Sequence, residues 1–124
     1  MLAQKPFLKQ QAHFELAWTS FDIKPKMYEY TYAGNAEGLN KISVDYNKKS
    51  IHPAQKPINI YRLILSDFAV KGDLILDTHL GSGSSRIACD MDGFDFVGYE
   101  IDTEYYMNQE KRFTIHKLQP ELFT

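Results

Sequence analysis

One cysteine, Cys89, is all that this 124-residue sequence contains, which excludes an internal disulfide and a zinc site built from several thiolates. Long apolar runs are missing too. No stretch approaches the roughly 18 apolar residues of a membrane-spanning helix, and the lysine-containing N-terminus has no signal-peptide apolar core. A cytoplasmic location, away from membranes, is the expectation. Excess positive charge is also absent: the formal net charge is −2, which is not the footprint of a strongly basic nucleic-acid binder. The halves differ, however. Residues 1–56 carry eight lysines against five acids, and residues 57–124 carry six Lys or Arg against eleven acids. A nucleic-acid partner would therefore face the first part, unless that charge is ordinary solvated surface. What is left is a chain of single-domain size whose 44% apolar content can bury a core.

Periodicity supplies the elements. Residues 1–12 show no period and read as an arm. Phe14–Phe21 (FELAWTSF) has the aromatic and β-branched content of a strand. Lys24-Pro25-Lys26 breaks it, and in MYEYTY the rings of Tyr28, Tyr30 and Tyr32 share one face if extended. Loop composition continues to Ser50. Pro57 suits the first turn of a helix whose buried face would carry Tyr61, Ile64, Leu65 and Phe68. Lys71-Gly72-Asp73 ends it, and LILD (Leu74–Asp77) reads as a short strand buried on both faces. Ser84–Met91 reads as a helix with Ile87, Ala88 and Met91 inward, stopped at Gly93. FDFVGYE (Phe94–Glu100) is the next strand. Asp102 or Thr103 caps a last helix near Glu104–His116, with Tyr106, Gln109 and Phe113 along one side. Helix–strand–helix–strand–helix implies a parallel βαβ unit preceded by a helix.

The chemistry concentrates in LILDTHLGSGSS (Leu74–Ser85). In a βα unit the ligand lies beyond the carboxyl end of the strand, where the helix N-terminus offers amide groups. Gly81 and Gly83 let the backbone approach it without a Cβ in the way. No lysine follows the glycines, so a phosphate-binding P-loop is excluded. A dinucleotide fingerprint asks for a third glycine where Arg86 stands, which disfavours a dinucleotide-dependent oxidoreductase. Glu100 ends the next strand, where a carboxylate accepts both hydroxyls of a ribose. The combination favours an adenosine-type ligand with an amino-acid tail. Its ammonium would go to Asp77, and its carboxylate to the turn amides and the Ser84 or Ser85 hydroxyl. The bland alternative is a tight turn with no ligand. HPAQKP (His52–Pro57) precedes the first helix, and its two prolines fix an extended segment with polar tips. His79 has no second histidine or carboxylate at ligand spacing and reads as a pocket wall, not a metal ligand.

In that order, HPAQKP, DTHLGSGSS and FVGYEID resemble the β class of DNA amino-methyltransferases, which methylate adenine N6 or cytosine N4, over about residues 51–117. The family typically carries HPTQKP, then DPFxGSGTT, then a strand ending in an acid. The resemblance implies a partial Rossmann-like, S-adenosylmethionine-dependent methyltransferase fold: α/β, with a mostly parallel sheet flanked by helices. It implies that cofactor, with Asp77, Thr78, Gly81, Ser82, Gly83, Ser84 and Ser85 lining it, Glu100 on the ribose, and His52, Ala54, Gln55 and Lys56 closing over it. Two positions depart from the pattern. Ala54 replaces a threonine, and Thr78-His79 replaces Pro-Phe, which makes the adenosine wall more polar. The family's Asp-Pro-Pro-Tyr type of motif, which holds the flipped base, is missing, since no Pro-Pro pair occurs.

The resemblance therefore divides the chain into residues 1–50, the end of a catalytic and target-recognition portion; 51–118, the cofactor region; and a tail, 119–124. It implies DNA as partner, contacted by Lys24, Lys26, Tyr28 and Tyr30, or else a half-buried strand face there. It further implies no catalytic residue in this chain alone, and either self-association or a second chain that brings the missing motif. The rival is a non-catalytic module that binds cofactor, DNA or a partner subunit. The tail Gln119–Phe123 (QPELF) resembles a sliding-clamp docking peptide, with a tucked helix end as the alternative.

Overall fold

The computed structural model describes residues 15–29, 51 and 55–119. Helix α1 spans Ile58–Phe68, with Pro57 as its N-cap at φ −60° and ψ 138°. The proline thus stands one position before the helix, where its missing N–H costs nothing. Ala69 closes α1 by donating its N–H to the Leu65 carbonyl. A turn at Val70–Asp73 then leads into strand β1, Leu74–Asp77. Helix α2 covers Ser84–Asp92 and lies between two glycines in the left-handed region, Gly83 and Gly93, each at φ 78°. Strand β2, Asp95–Gly98, runs parallel to β1 with Leu74 opposite Asp95 and Asp77 opposite Gly98. Helix α3, Thr103–Leu118, starts at Asp102, whose side chain accepts from the Tyr105 amide. The βαβ unit and its flanking helices stand where the hydrophobic periods put them.

The core lies on one face of this sheet. Ile58 and Leu65 from α1 meet Ile87, Ala88 and Cys89 from α2, and the sheet contributes Ile75 and Phe96. Four expectations are corrected. The strand expected at Phe14–Phe21 is not found over residues 15–21, which have no ladder partner among the described residues, and Trp18 stays exposed. The chain instead runs against α1, where Phe21 stacks on Phe68 with ring centroids 4.8 Å apart. LILD is not buried on both faces. Leu74 and Leu76 are 63% and 61% exposed, because α1 and α2 cover only the Ile75 side. Ile64 and Met91 also face solvent. Each lies just outside the arc of its short helix that faces the core, and Ile58 and Cys89 take the inward places. No helix among the described residues is long and apolar enough to cross a membrane.

Candidate functional site

The parallel register brings the carboxyl ends of β1 and β2 side by side. One further ladder bond, from the Tyr99 N–H to the Asp77 carbonyl (2.9 Å), carries the pairing past the strands. The Leu80 N–H then reaches the Tyr99 carbonyl (2.9 Å), so the glycine turn folds over the end of β2. Gly81 and Gly83 both have positive φ, 54° and 78°, a conformation that side chains with a Cβ strain to adopt.

Two carboxylates frame this turn, and the protein already orients both. Asp77 accepts from the His79 amide (2.9 Å) with one oxygen and from the Ser85 hydroxyl (2.5 Å) with the other. Glu100 accepts from the Gly81 amide (2.9 Å) and from the Asp102 amide (3.3 Å). A carboxylate oxygen has a second lone pair, so each group retains capacity for a ligand donor. An ammonium and a ribose diol are the donors that suit such a pair, and the site's chemistry therefore fits an adenosine ligand with an amino-acid end.

Three of the proposed contacts are already spoken for in part. The amides of residues 79, 80, 81 and 83 bond within the protein. Ser84 Oγ is held by Arg112 and lies 3.2 Å from Ser82 Oγ, while Ser85 Oγ bonds Asp77. Residues 80–85 are buried, and Thr78 and His79 form the exposed rim, with Thr78 Oγ1 2.9 Å from His79 Nδ1. Gln55 accepts from the Ile51 amide (3.2 Å), and Lys56 pairs with Glu15 at 2.8 Å. His52 and Ala54 lie outside the described residues, as do Tyr30 and the tail beyond Gln119.

The basic and aromatic residues upstream are placed against α1. Lys26 and the Tyr28 hydroxyl both bond Asp67, and the Lys26 ammonium sits 5.3 Å from the Tyr28 ring centroid. Hydrogen bonds from Lys26 and Tyr28 hold the Asp67 carboxyl below its ordinary range. Lys24 is exposed on the same segment. Burial first, then the nearby charges of Asp77 and Glu15, pushes the Tyr61 phenol up. Cys89 is no nucleophile. Burial, with Asp92 and Asp77, pushes its thiol up to about 11. No group of three or more potential metal ligands gathers among the described residues.

Sequence reasoning missed the back of the turn. Arg112, 3% exposed, donates through Nη1 to the Ser82 carbonyl (3.0 Å) and to Ser84 Oγ (2.8 Å). Gln109 packs where a Gly83 side chain would go, 3.2 Å from that ideal Cβ. Arg86 bonds Gln109 (3.0 Å) and Glu110 (2.7 Å) and lies over the Phe113 ring. The signal was present in the spacing: Arg112 follows Gln109 by three residues and belongs to the same helical stripe.

The chain is similar to known proteins. The family model for DNA methylases of the N6/N4 type matches residues 4–111. Among curated proteins, the type II methyltransferase M.HindIII of Haemophilus influenzae is 29% identical over 83 residues, 67% of this chain and 27% of that protein. The type II methyltransferase M2.MboI of Moraxella bovis is 34% identical over 71 residues, 57% of this chain and 25% of that protein. The chain thus spans about a quarter of the length of these relatives. The crystal structure of an M1.HpyAVI–SAM complex superposes with a TM-score of 0.50 at 34% identity, covering 52% of this chain and 32% of that one. The shared portion is a partial Rossmann-like α/β fold.

Proposed function

This chain belongs to the DNA methylase family, and from that premise we propose that residues 51–118 form the S-adenosylmethionine-binding portion of a DNA amino-methyltransferase. The observation that carries the reading is the pair of oriented carboxylates around the glycine turn, Asp77 at the end of β1 and Glu100 two residues beyond the adjacent parallel strand β2. Asp77 takes the ammonium of the cofactor's amino-acid end, and Glu100 takes the ribose hydroxyls. Gly81, Ser82, Gly83, Ser84 and Ser85 shape the wall on the amino-acid side, and Thr78 flanks the adenosine. His52, Ala54, Gln55 and Lys56 close the site from the segment before α1. When bound, the cofactor supplies an electrophilic methyl group on sulfur for the exocyclic amine of adenine or cytosine. DNA is the substrate, approached through Lys24, Lys26, Tyr28 and Tyr30. The M.HindIII and M2.MboI relatives point to a restriction–modification setting.

A base-holding Pro-Pro motif does not occur in this sequence, so the chain by itself binds cofactor without transferring methyl. Titration calorimetry should show S-adenosylmethionine binding and no heat with NAD, and a labelled-methyl assay on DNA should give no product from this chain alone. NAD binding would overturn the cofactor reading. Robust transfer would overturn the inactive-portion reading.

A second reading, that another copy or chain completes the molecule, rests on the sheet. Leu74, Leu76, Val97 and Tyr99 lie exposed along one face, whereas parallel strands are ordinarily covered on both. Burying each such side chain is worth about 1.5–3 kcal/mol. Sedimentation velocity at tens of micromolar should therefore show a dimer or larger species. A compact monomer would rule self-association out and leave a different chain as the partner.

A further inference from the structure

We propose that Arg112 is a positioning residue that sets the glycine turn for the amino-acid end of the cofactor; this rests on the cofactor-site reading above. Residues 81–83 contain two glycines with positive φ, and glycine has the widest backbone freedom of any residue. Such a turn holds one shape only if something fixes its peptide planes. The Ser82–Gly83 peptide is clamped at both ends. Its carbonyl accepts from Arg112 at 3.0 Å, and its N–H donates to the Leu80 carbonyl at 2.9 Å. The same Arg112 nitrogen also holds Ser84 Oγ at 2.8 Å, which ties the first residue of α2 to the turn. Gln109 fills the space beside Gly83 and leaves the turn no room to rotate toward α3.

An aliphatic side chain would fill the Arg112 position without desolvating a charge. Burying a guanidinium costs several kcal/mol before its bonds are counted, so the fold uses this residue for the direction of its donors. Nη1 carries two hydrogens that diverge in a fixed plane toward two acceptors. Lysine lacks that planar fork.

The consequence is ligand-specific. If Arg112 shapes the turn and the turn faces the amino-acid end, its loss weakens ligands that possess that end and spares those that lack it. A residue that only supports the fold would weaken both alike. The test is calorimetric titration of the full chain with S-adenosylhomocysteine and with 5′-methylthioadenosine, which shares the adenosine and thioether but has no amino-acid end. Arg112→Gln and Arg112→Lys should each lower S-adenosylhomocysteine affinity about tenfold and leave methylthioadenosine within about twofold. Arg112→Lys keeps the buried charge without the fork, and it stands in for Arg112→Gln if circular dichroism shows that variant unfolded. Equal losses on both ligands, or no loss in either set, would overturn the proposal. A parent chain that binds neither ligand would overturn the cofactor-site reading itself, and the proposal would fall with it.

Discussion

Glu100→Ala is expected to weaken S-adenosylmethionine binding by about a hundredfold or more. Glu100 sits two residues beyond β2 and accepts from the Gly81 and Asp102 amides, which aim its remaining lone pairs across the end of the sheet. Charge-assisted bonds to two ribose hydroxyls are worth about 1.5–3 kcal/mol each, and losing both gives at least a hundredfold in dissociation constant. Alanine also releases the Gly81 amide and loosens the turn. Glu100→Gln separates the two contributions, because the amide oxygen still accepts from Gly81 while the charge is gone, and about a tenfold loss is expected. Calorimetry measures both variants, with urea melts run in parallel to show that the fold persists. Unchanged affinity in Glu100→Ala would remove the ribose role from this residue.

That prediction comes almost entirely from residues visible in the sequence, and the reason is physical. Gly81, Gly83, Asp77 and Glu100 act through local backbone geometry: a positive φ, a strand end, a helix start. Residue type and spacing encode such features directly. The same holds for α1, α2 and α3, whose apolar periods are strong. What failed depended on contacts between distant segments. Whether Phe14–Phe21 makes a strand is decided by the presence of a neighbour, not by its β-branched and aromatic residues, and among the described residues it has none. LILD looked doubly buried because four residues with three aliphatic side chains do not say how many layers cover them. Arg112 was overlooked because an arginine on a helix is ordinarily solvent-exposed. Its burial follows from the way α3 packs behind a turn 28 residues earlier. Lys26 and Tyr28, proposed above as DNA contacts, also bond Asp67, 41 and 39 residues away. No pattern within their own segment announces that bond.

The core should be as sensitive as the site. Ile87 is 1% exposed and touches the cluster formed by Ile58, Leu65, Ala88 and Cys89. Truncating a buried isoleucine to alanine costs about 2–5 kcal/mol through lost transfer energy and the cavity left behind. Small domains have little to spare, since a short chain buries a smaller fraction of its surface. With a urea slope of about 1 kcal/mol per molar for a domain of this size, Ile87→Ala should lower the midpoint by about 2 M or more. Ile87→Val, which removes one methyl group, should lose about 0.5–1.5 kcal/mol. The two predictions are linked through α2, because the Ile87 amide donates to the Gly83 carbonyl (3.1 Å) in the helix's first turn. Ligand binding stabilises the folded state by mass action, about 2.7 kcal/mol at a hundred times the dissociation constant. Saturating S-adenosylmethionine should therefore restore most of the midpoint lost by Ile87→Ala, while at the same concentration Glu100→Ala barely responds. An Ile87→Ala chain that keeps the parental midpoint would show that the α1–α2 interface is not where stability resides. If instead its midpoint falls but does not move with ligand, the variant no longer binds the cofactor, and the damage to the core has reached the site through α2.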